Sequence, residues 1–482
     1  MPRQKQAIPY FCPVRKKNQA LLLEKIEVED YAAEGKSLAR ADGKVIFVEG
    51  AVPGDIVDIR LKKSKKDWAE GAVVKIHTYS KDRVTPFCQH FGVCGGCQWQ
   101  MLPYSKQLHY KQIQVAETLK RIGKVSLPEI ESIKGAEQTK YYRNKLEFTF
   151  GNKKYLMPEE LNDPLISPNE DVLGFHVRGF FDKIIDINTC YLQPEPSNAI
   201  RLAAKRFARE QKYSFYDIRN HHGLMRTMQI RTTSTGEVMV NIVFAEHEPD
   251  RIRAMMEHML EQFPEITTLL YTINTKWNDS LHDLEPVVFS GKGYIIERLG
   301  GFRFKIGPKS FFQTNSRQGN LLYEVTRDFA ELTGRETVYD LYCGTGSIGI
   351  FLSQGAKKLV GVEMIEAAVE DARENAKLNQ LTDAQFFAGD VIHVCDEDFF
   401  TVHGQPDVII TDPPRAGMHE KLVHKILEIG APVVVYVSCN PSTQARDLNL
   451  LDEKYQVTRI QPVDMFPHTH HIENVVQLKI RR

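Results

Sequence analysis

Cys439 ends an apolar run, Val-Val-Val-Tyr-Val-Ser-Cys-Asn-Pro, which predicts a buried strand with a thiol at its end. Two acidic residues accompany it around the end of the same predicted sheet: Asp412 upstream, in Asp-Pro-Pro-Arg, and Glu473 downstream, in His-Ile-Glu. A thiolate can add to an electron-poor carbon, and a carboxylate can remove a proton. The alternative for Cys439 is an inert buried thiol, which explains neither the Asn-Pro that follows nor the Glu473 segment.

A glycine-rich stretch upstream has the spacing of a nucleotide-cofactor loop. It runs from Asp340 through Gly344 and Gly346 to Gly349, and Glu363 ends the next predicted strand, where a carboxylate can accept hydrogen bonds from ribose hydroxyls. The loop alone fits a dinucleotide as well as S-adenosylmethionine. Asp412-Pro-Pro is a methyltransferase hallmark without a role in hydride transfer, and it favours S-adenosylmethionine.

A cysteine beside a methyl donor suits methylation of a pyrimidine at C5, a carbon that is not itself nucleophilic. Addition of the thiolate to C6 turns C5 into an enolate carbon, which takes the methyl group; a base then removes the C5 proton and the thiol is eliminated. We predict Cys439 as the nucleophile and Glu473 as the base. A target base in folded RNA must be flipped out of its stack to be reached.

Three further cysteines, Cys88, Cys94 and Cys97, stand close together in a glycine-containing loop. Soft thiolate ligands suit zinc or an iron–sulfur cluster, and Cys190 is the nearby candidate for a fourth ligand. The spacing of five residues and then two departs from the three and two usual in radical enzymes that use S-adenosylmethionine. From spacing alone, zinc and iron–sulfur both remain open.

The elements that must position these residues predict a multidomain α/β protein. Residues 15–78 predict an OB-like β-barrel, residues 85–310 a central α+β domain with a helix over 104–122, and residues 311–482 a doubly wound parallel sheet of Rossmann type. Gly35-Lys-Ser-Leu-Ala-Arg and the segment ending at Asp55 resemble the TRAM domain, an RNA-binding module. Residues 152–171 predict a loop to which we assign no role.

Charge is distributed unevenly along a chain whose net charge is zero. Residues 1–150 carry 26 Lys and Arg against 17 Asp and Glu, a balance of +9, and the remainder carries 36 against 45, a balance of −9. A basic amino-terminal part indicates a polyanionic partner such as RNA, although a solvated basic surface is an equal alternative. The chain of 482 residues shows neither a membrane-length apolar run nor a signal region, so we expect a cytosolic protein and, by default, a monomer.

Five segments, in this order, resemble the RNA 5-methyluridine methyltransferase family across nearly the whole chain: Phe311-Phe-Gln313-Thr-Asn315, Asp340 to Gly346, Asp412-Pro-Pro-Arg-Ala-Gly417, Ser438-Cys-Asn-Pro441 and Phe466 to Glu473. The TRAM-like barrel and the four cysteines indicate the branch acting on 23S ribosomal RNA. The bacterial transfer-RNA branch usually lacks both.

The resemblance implies roles for individual residues. Cys439 would be the nucleophile and Glu473 the base. The S-adenosylmethionine pocket would be lined by Gln313, Tyr342, Glu363 and Asp412, with Asp390 near the adenine. A 4Fe–4S cluster, serving structure or RNA folding, would be held by Cys88, Cys94, Cys97 and Cys190. The 104–122 helix would pack on the catalytic domain.

Three competing functions remain open. A transfer-RNA 5-methyluridine methyltransferase would use the same chemistry on another substrate. A non-catalytic RNA-binding or chaperone protein would need a decayed active site, against which the intact Cys439, Glu473 and Asp412 argue. A radical methylthiotransferase also pairs a TRAM domain with a cluster, but the cysteine spacing and the Asp412-Pro-Pro segment speak against it.

Overall fold

The structure, a computed structural model, describes residues 21–481 and divides into two compact units that meet in sequence at Arg83 and Val84. Residues 15–20 of the predicted barrel lie outside the described part. Within residues 21–481, every helix is too short or too polar to cross a bilayer.

The first unit is a closed five-stranded barrel with the strand order β1-β2-β3-β5-β4. Its strands are β1 Leu22–Tyr31, β2 Ser37–Ala41, β3 Lys44–Glu49, β4 Ile56–Ser64 and β5 Trp68–Thr78. Alternate residues such as Ile46, Val57 and Ile59 fill the interior. Gly71 is required where β5 crosses β4, since a Cβ there would lie 2.5 Å from Ile59 Cγ2.

The second unit begins with a cysteine-containing loop and helix α1 (Tyr104–Thr118), followed by a π-helical turn over Leu119–Gly123. A seven-stranded sheet in the order β12-β11-β10-β9-β6-β7-β8 follows, with two helices packed on it. Its elements are β6 Lys145–Gly151, β7 Val172–His176, β8 Ile184–Asp186, α2 Ser197–Glu210, β9 Met225–Thr232, β10 Val238–Phe244, α3 Pro249–Gln262, β11 Ile266–Ile273 and β12 Val287–Gly291. Within the predicted loop 152–171, Lys154 pairs with Glu160 (2.8 Å) and Glu170 (3.5 Å).

A hairpin, β13 Ile295–Leu299 and β14 Phe302–Ile306, leads into a second seven-stranded sheet in the order β17-β16-β15-β18-β19-β21-β20. The remaining elements are α4 Ser316–Ala330, β15 Thr337–Leu341, α5 Ser347–Leu352, β16 Lys358–Glu363, α6 Glu366–Leu378, β17 Ala384–Ala388, α7 Val391–Val394, α8 Glu397–His403, β18 Val408–Thr411, α9 Glu420–Ile429, β19 Val433–Ser438, α10 Pro441–Leu451, β20 Tyr455–Val463 and β21 Glu473–Ile480.

This sheet is not wholly parallel, which corrects the prediction of a doubly wound parallel sheet. The five strands β17, β16, β15, β18 and β19 are parallel, but β21 pairs antiparallel with both β19 and β20. Residues 464–472 are too few for a crossover helix, so the two strands that they join must form a hairpin. That hairpin carries Glu473.

The two sheets belong to one compact unit, and α1 lies against the second of them. Val115 and Leu119 are fully buried in the same core as Ala445 and Leu448 of α10. Gly123 lies so near α10 that a Cβ there would approach the carbonyl oxygen of Ala445 to 3.5 Å. A segment that precedes the central sheet in sequence is therefore part of the hydrophobic core of the second sheet.

Candidate active site

Cys439 and Glu473 occupy neighbouring strand ends. Ser438 and Asn474 are paired at the ends of β19 and β21, and Cys439 and Glu473 are the residues next to them in sequence, close enough for the Glu473 carboxyl group to act on the Cys439 thiol. Asn440 caps α10 by accepting a hydrogen bond from Ser442 N (3.1 Å). The Asn-Pro after Cys439 is thus the start of a helix. It turns the chain away from the sheet and leaves the thiol at the carboxyl end of β19.

The thiol of Cys439 is held mainly in its protonated form. Burial raises its pKa to about 12, and the carboxyl groups of Glu473 and Asp412 act in the same direction. Arg415, in the segment that follows β18, opposes them and favours the thiolate. The fraction of Cys439 present as thiolate therefore depends on the local balance of charge.

Glu473 and Asp412 form a carboxyl pair in this site. Glu473 is 7% exposed, and burial together with Asp412 raises its pKa well above the usual range, while Arg415 opposes the shift. Burial also raises the pKa of Asp412. Two buried carboxyl groups that interact do not both ionise readily, so the pair retains a proton near neutral pH. A carboxylate with a raised pKa is a stronger base than one in water.

The glycine-rich loop connects β15 to α5 and has the backbone that its residues predict. Gly344 and Gly346 have φ of 52° and 75°, in the left-handed region that favours glycine. A Cβ on Gly346 would lie 3.1 Å from Ala372 Cβ and from the Phe386 ring. Asp340 accepts a hydrogen bond from Gly349 N (2.8 Å), and burial raises its pKa to about 7. The Asp340 carboxyl group thereby joins the end of β15 to α5, the two elements that the loop connects.

A cleft of about 370 Å³ opens beside this loop, and Tyr342, Glu363 and Asp390 all line it. Glu363 accepts hydrogen bonds from Gly344 N (3.2 Å) and Ile365 N (2.9 Å), which fixes its carboxylate at the end of β16. A fixed carboxylate beside a glycine-rich turn suits the hydroxyls of a ribose. The residues present therefore fit a nucleoside-containing methyl donor.

Gln313 and Asp412 do not line this cleft, unlike the other three residues of the predicted pocket. Gln313 is 6% exposed and packs beside Gly319, where a Cβ would be 3.2 Å from Gln313 Cβ. The main-chain carbonyl oxygen of Gln313 accepts a hydrogen bond from Asn144 Nδ2 (2.9 Å). Asp412 instead acts electrostatically on Cys439 and Glu473.

The four predicted metal-binding cysteines line one small cavity of about 30 Å³ with a mainly apolar wall: Cys88, Cys94, Cys97 and Cys190. None of them forms a disulfide. Burial raises the pKa of Cys94 to about 12 and that of Cys97 to about 11, and the neighbouring thiols reinforce both shifts. Four thiols that line one cavity are the type of donor that soft metal centres and iron–sulfur clusters bind.

A single bound metal ion requires at least three suitable side chains close together. In residues 21–481, His, Cys, Asp and Glu side chains nowhere come together in a group of three or more that could hold one ion. His90 also lines the cysteine cavity, and its buried Nδ1 has no hydrogen-bond partner in the described structure. The four thiols share one cavity, but within residues 21–481 they do not form a group that could hold a metal ion.

Sequence reasoning assigned no role to Arg415 or His471, which the structure brings to the same site. Arg415 Nη2 lies 3.4 Å from His471 Nδ1, and Asn440 Nδ2 donates to the Arg415 carbonyl oxygen (3.0 Å). Burial lowers the pKa of His471 to about 3, so its ring is neutral. The signal was available in part, because Arg415 directly follows Asp412-Pro-Pro.

Comparisons with known proteins agree with this arrangement. The family described as tRNA (uracil-5-)-methyltransferase matches residues 292–481, and the TRAM domain matches residues 24–74. An uncharacterized RNA methyltransferase of Bacteroides thetaiotaomicron is 51% identical over 453 residues, covering 93% of this chain and 100% of that protein. One from Porphyromonas gingivalis is 50% identical over 460 residues, covering 94% and 99%.

A solved structure shares the architecture. The tRNA (uracil-54, C5)-methyltransferase of Pyrococcus abyssi, in complex with S-adenosyl-L-homocysteine, is 30% identical with a TM-score of 0.72 and covers 94% of this chain and 99% of its own. The TRAM prediction is confirmed, and so is the predicted enzyme class. Together with the strand-end cysteine and the glycine-rich loop, these matches show that the chain belongs to the RNA uracil-C5 methyltransferase family, whose members use S-adenosylmethionine.

Proposed function

We propose that this enzyme methylates C5 of a uridine in RNA through a covalent adduct between Cys439 and C6 of the base. The observation that carries the proposal is the antiparallel pairing of Ser438 with Asn474, which brings Cys439 and Glu473, the residues next to that pair, into one site. Glu473 is buried and Cys439 is half-buried, so a flipped base could reach the thiol and meet both groups largely away from bulk water.

The first step requires the thiolate. Because the Cys439 pKa is raised, the step starts from the small fraction of thiolate, whose proton has passed to water, and Arg415 is the cation that favours this loss. Sγ then forms a bond to C6, and the C5–C6 π electrons move toward the O4 carbonyl, leaving an enolate with a nucleophilic C5. The new C5–CH₃ bond forms as the S–CH₃ bond of the donor breaks, which yields S-adenosylhomocysteine.

The second half of the reaction belongs to Glu473. Its carboxylate takes the proton from C5, the C–H electrons re-form the C5–C6 double bond, and the C6–Sγ bond breaks to release Cys439 as thiolate. Burial and Asp412 raise the Glu473 pKa, which strengthens it as a base toward a carbon acid. Because the carboxyl pair retains one proton near neutral pH, Glu473 acts as the base in the state in which that proton lies on Asp412.

We assign the cleft beside the glycine-rich loop to S-adenosylmethionine, with Glu363 on the ribose and Tyr342 and Asp390 along its wall. The family resemblance adds Gln313 and Asp412, which would complete the pocket toward the reacting methyl group. We assign the four-cysteine cavity, formed by Cys88, Cys94, Cys97 and Cys190, to a 4Fe–4S cluster that supports the fold. A cluster would engage all four thiols at once.

The proposed substrate is 23S ribosomal RNA. The basic amino-terminal part, the TRAM barrel and the four-cysteine set support it through the resemblance. A second candidate is transfer RNA, because the Pyrococcus abyssi tRNA methyltransferase covers 94% of this chain. That coverage means that overall architecture does not separate the two substrates. We further propose that the enzyme acts in the cytoplasm as a monomer.

The deciding experiment supplies purified enzyme with S-adenosylmethionine labelled in its methyl group and with unmodified 23S RNA or bulk transfer RNA. Nucleosides are then separated by mass. Label in 5-methyluridine from 23S RNA, lost in Cys439→Ala, supports the whole proposal. Label from transfer RNA alone keeps the chemistry and overturns the substrate. No label from either RNA, with iron content verified, contradicts the catalytic proposal.

A further inference from the structure

The loop over residues 464–472 determines where the proposed base lies. It closes the hairpin of β20 and β21, in which Val463 and Glu473 are paired across the turn. Glu473 is the first residue of β21, so its carboxyl group moves with the end of this loop. Whatever holds the loop therefore also sets the direction in which Glu473 faces the substrate.

A buried ion pair holds the beginning of the loop. Lys111 Nζ of α1 lies 2.6 Å from Asp464 Oδ1, and both side chains are fully buried. Lys111 also donates to the Phe466 carbonyl oxygen (3.2 Å), and Asp464 Oδ1 accepts from Phe466 N (3.0 Å). One cation thus closes the first turn of the loop through both side chain and main chain.

Other residues of α1, and Trp99 just before it, also hold the loop. Tyr104 Oη donates to Asp464 Oδ2 (2.8 Å). His468 N donates to Gln107 Oε1 (2.7 Å), and Gln107 Nε2 lies 3.1 Å from His468 Nδ1. Trp99 N donates to the His468 carbonyl oxygen (3.0 Å). The contacts fall at 464, 466 and 468, which fixes this part of the loop and leaves residues 469–472 as the link to Glu473.

A contribution to folding stability is a weak explanation for the presence of the buried Lys111–Asp464 ion pair. A buried ion pair gives up the hydration of two charges, and replacing it with apolar residues of similar volume is often neutral or stabilising. Burial does lower the pKa of Lys111, and the carboxylate of Asp464 opposes this shift. What an ion pair supplies, and an apolar contact lacks, is direction: it selects one arrangement of the main chain around Phe466.

We propose that Lys111 and Asp464 are positioning residues for the proton-removal step, acting through the loop on Glu473. This inference rests on the proposed function. Without the ion pair, Cys439 still adds to C6 and C5 still receives its methyl group, because neither Cys439 nor the cleft assigned to the methyl donor belongs to the loop. Removal of the C5 proton slows, so the C6–Sγ bond persists and methylated RNA remains joined to the protein.

The test is the substitution Lys111→Met, assayed with the 23S transcript or bulk transfer RNA, whichever the wild type methylates. We expect kcat to fall about tenfold or more while the KM for RNA stays within about twofold. A methyl-labelled protein–RNA adduct should accumulate on a denaturing gel, as it should for Glu473→Gln. The matched control is Lys120→Met, an exposed lysine beyond the end of α1, which should behave as wild type.

A second variant separates positioning from folding. Lys111→Met combined with Asp464→Leu leaves no unpaired buried charge, so its denaturation midpoint should return toward that of the wild type. Accumulation of the adduct in this stable double variant supports the inference. A double variant with wild-type kcat and no adduct overturns it, as does a Lys111→Met protein that loses activity only in proportion to its loss of folded protein.

Failure of the proposed function has a different signature. If Glu473→Gln forms no adduct and the wild type makes no 5-methyluridine, then covalent catalysis itself is wrong and the positioning inference falls with it. If the wild type methylates and Glu473→Gln accumulates adduct while both Lys111 variants do not, only the positioning inference is overturned.

Discussion

The hydroxyl group of Tyr436 donates a hydrogen bond of 2.8 Å to Asp447 Oδ2, joining β19 to α10 on the two sides of Cys439. Both residues are fully buried, and the same carboxylate oxygen accepts from Met418 N (2.9 Å). Cys439, the proposed nucleophile, therefore lies on a connection whose flanking strand and helix are joined by a direct hydrogen bond.

Removal of that tie should weaken folding measurably. Tyr436→Phe leaves a buried carboxylate with one fewer donor, at a cost of about 1–3 kcal/mol in the free energy of unfolding. Urea denaturation followed by far-UV circular dichroism measures the change. Tyr455→Phe is a matched control, because Tyr455 Oη donates to the Ala431 carbonyl oxygen (3.0 Å) and its loss should cost less than that of a bond to a charged group. Equal losses in the two variants would contradict the expectation.

The proposed base should separate methyl transfer from product release. In Glu473→Gln the amide cannot accept the C5 proton, so we expect turnover to fall by about 10²–10⁴-fold. A single round of methylation should persist as a protein–RNA adduct that survives denaturation. Cys439→Ala forms no adduct under the same conditions. Wild-type turnover in the glutamine variant would remove Glu473 from the mechanism.

The reactivity of Cys439 should increase steeply with pH. Its pKa is raised to about 12, mainly by burial, so the thiolate fraction grows about tenfold per pH unit throughout the range from 7 to 10. Alkylation by iodoacetamide in the absence of RNA, quantified by mass spectrometry of the Cys439 peptide, should follow this slope.

Arg415→Ala should slow that alkylation further, since it removes the cation that favours the thiolate. The direction follows from charge alone: loss of a positive neighbour raises the thiol pKa and lowers the thiolate fraction at any fixed pH. His419→Ala, in the same segment but outside the groups that act on Cys439, is the control. Faster alkylation in Arg415→Ala would show that access, not charge, limits the reaction.

Binding of the methyl donor should depend on Glu363. In Glu363→Ala the proposed ribose contact and the hydrogen bond to Gly344 N are both lost, and we expect the Kd for S-adenosylmethionine to rise by about 10–100-fold. Isothermal titration calorimetry without RNA measures it. Glu366→Ala, which removes an exposed carboxylate at the start of α6, should leave the Kd unchanged. An unaltered Kd in Glu363→Ala would place the donor elsewhere.

Loss of the proposed cluster should affect folding more than chemistry. Cys94→Ser should reduce bound iron and lower the thermal unfolding midpoint, because a ligand held by the native state alone stabilises that state. Iron and sulfide analysis with a thermal melt checks both. Cys395→Ser, a buried cysteine of the catalytic core, should leave the iron content intact. Stoichiometric zinc in place of iron would contradict the cluster assignment.

Much of this protein follows from local sequence. The alternation of apolar residues predicts the barrel, and the strand–helix pattern predicts the parallel strands with Gly344 and Gly346 at their turn, because side-chain periodicity and left-handed backbone are properties of neighbouring residues. Cys439 and Glu473 could be predicted as nucleophile and base because each lies in a short segment whose residue types restrict the possible chemistry.

Tertiary structure decided what lies between distant segments. Only the fold shows that β21 is antiparallel and so brings Glu473 beside Cys439, that Gln313 stays outside the cleft that Tyr342 and Glu363 line, and that Lys111 meets Asp464 across 353 positions of chain. Sequence periodicity does not predict such contacts. A lysine on a helix is buried only when a carboxylate from a distant part of the chain packs against it, and the sequence of the helix does not show which lysine that is.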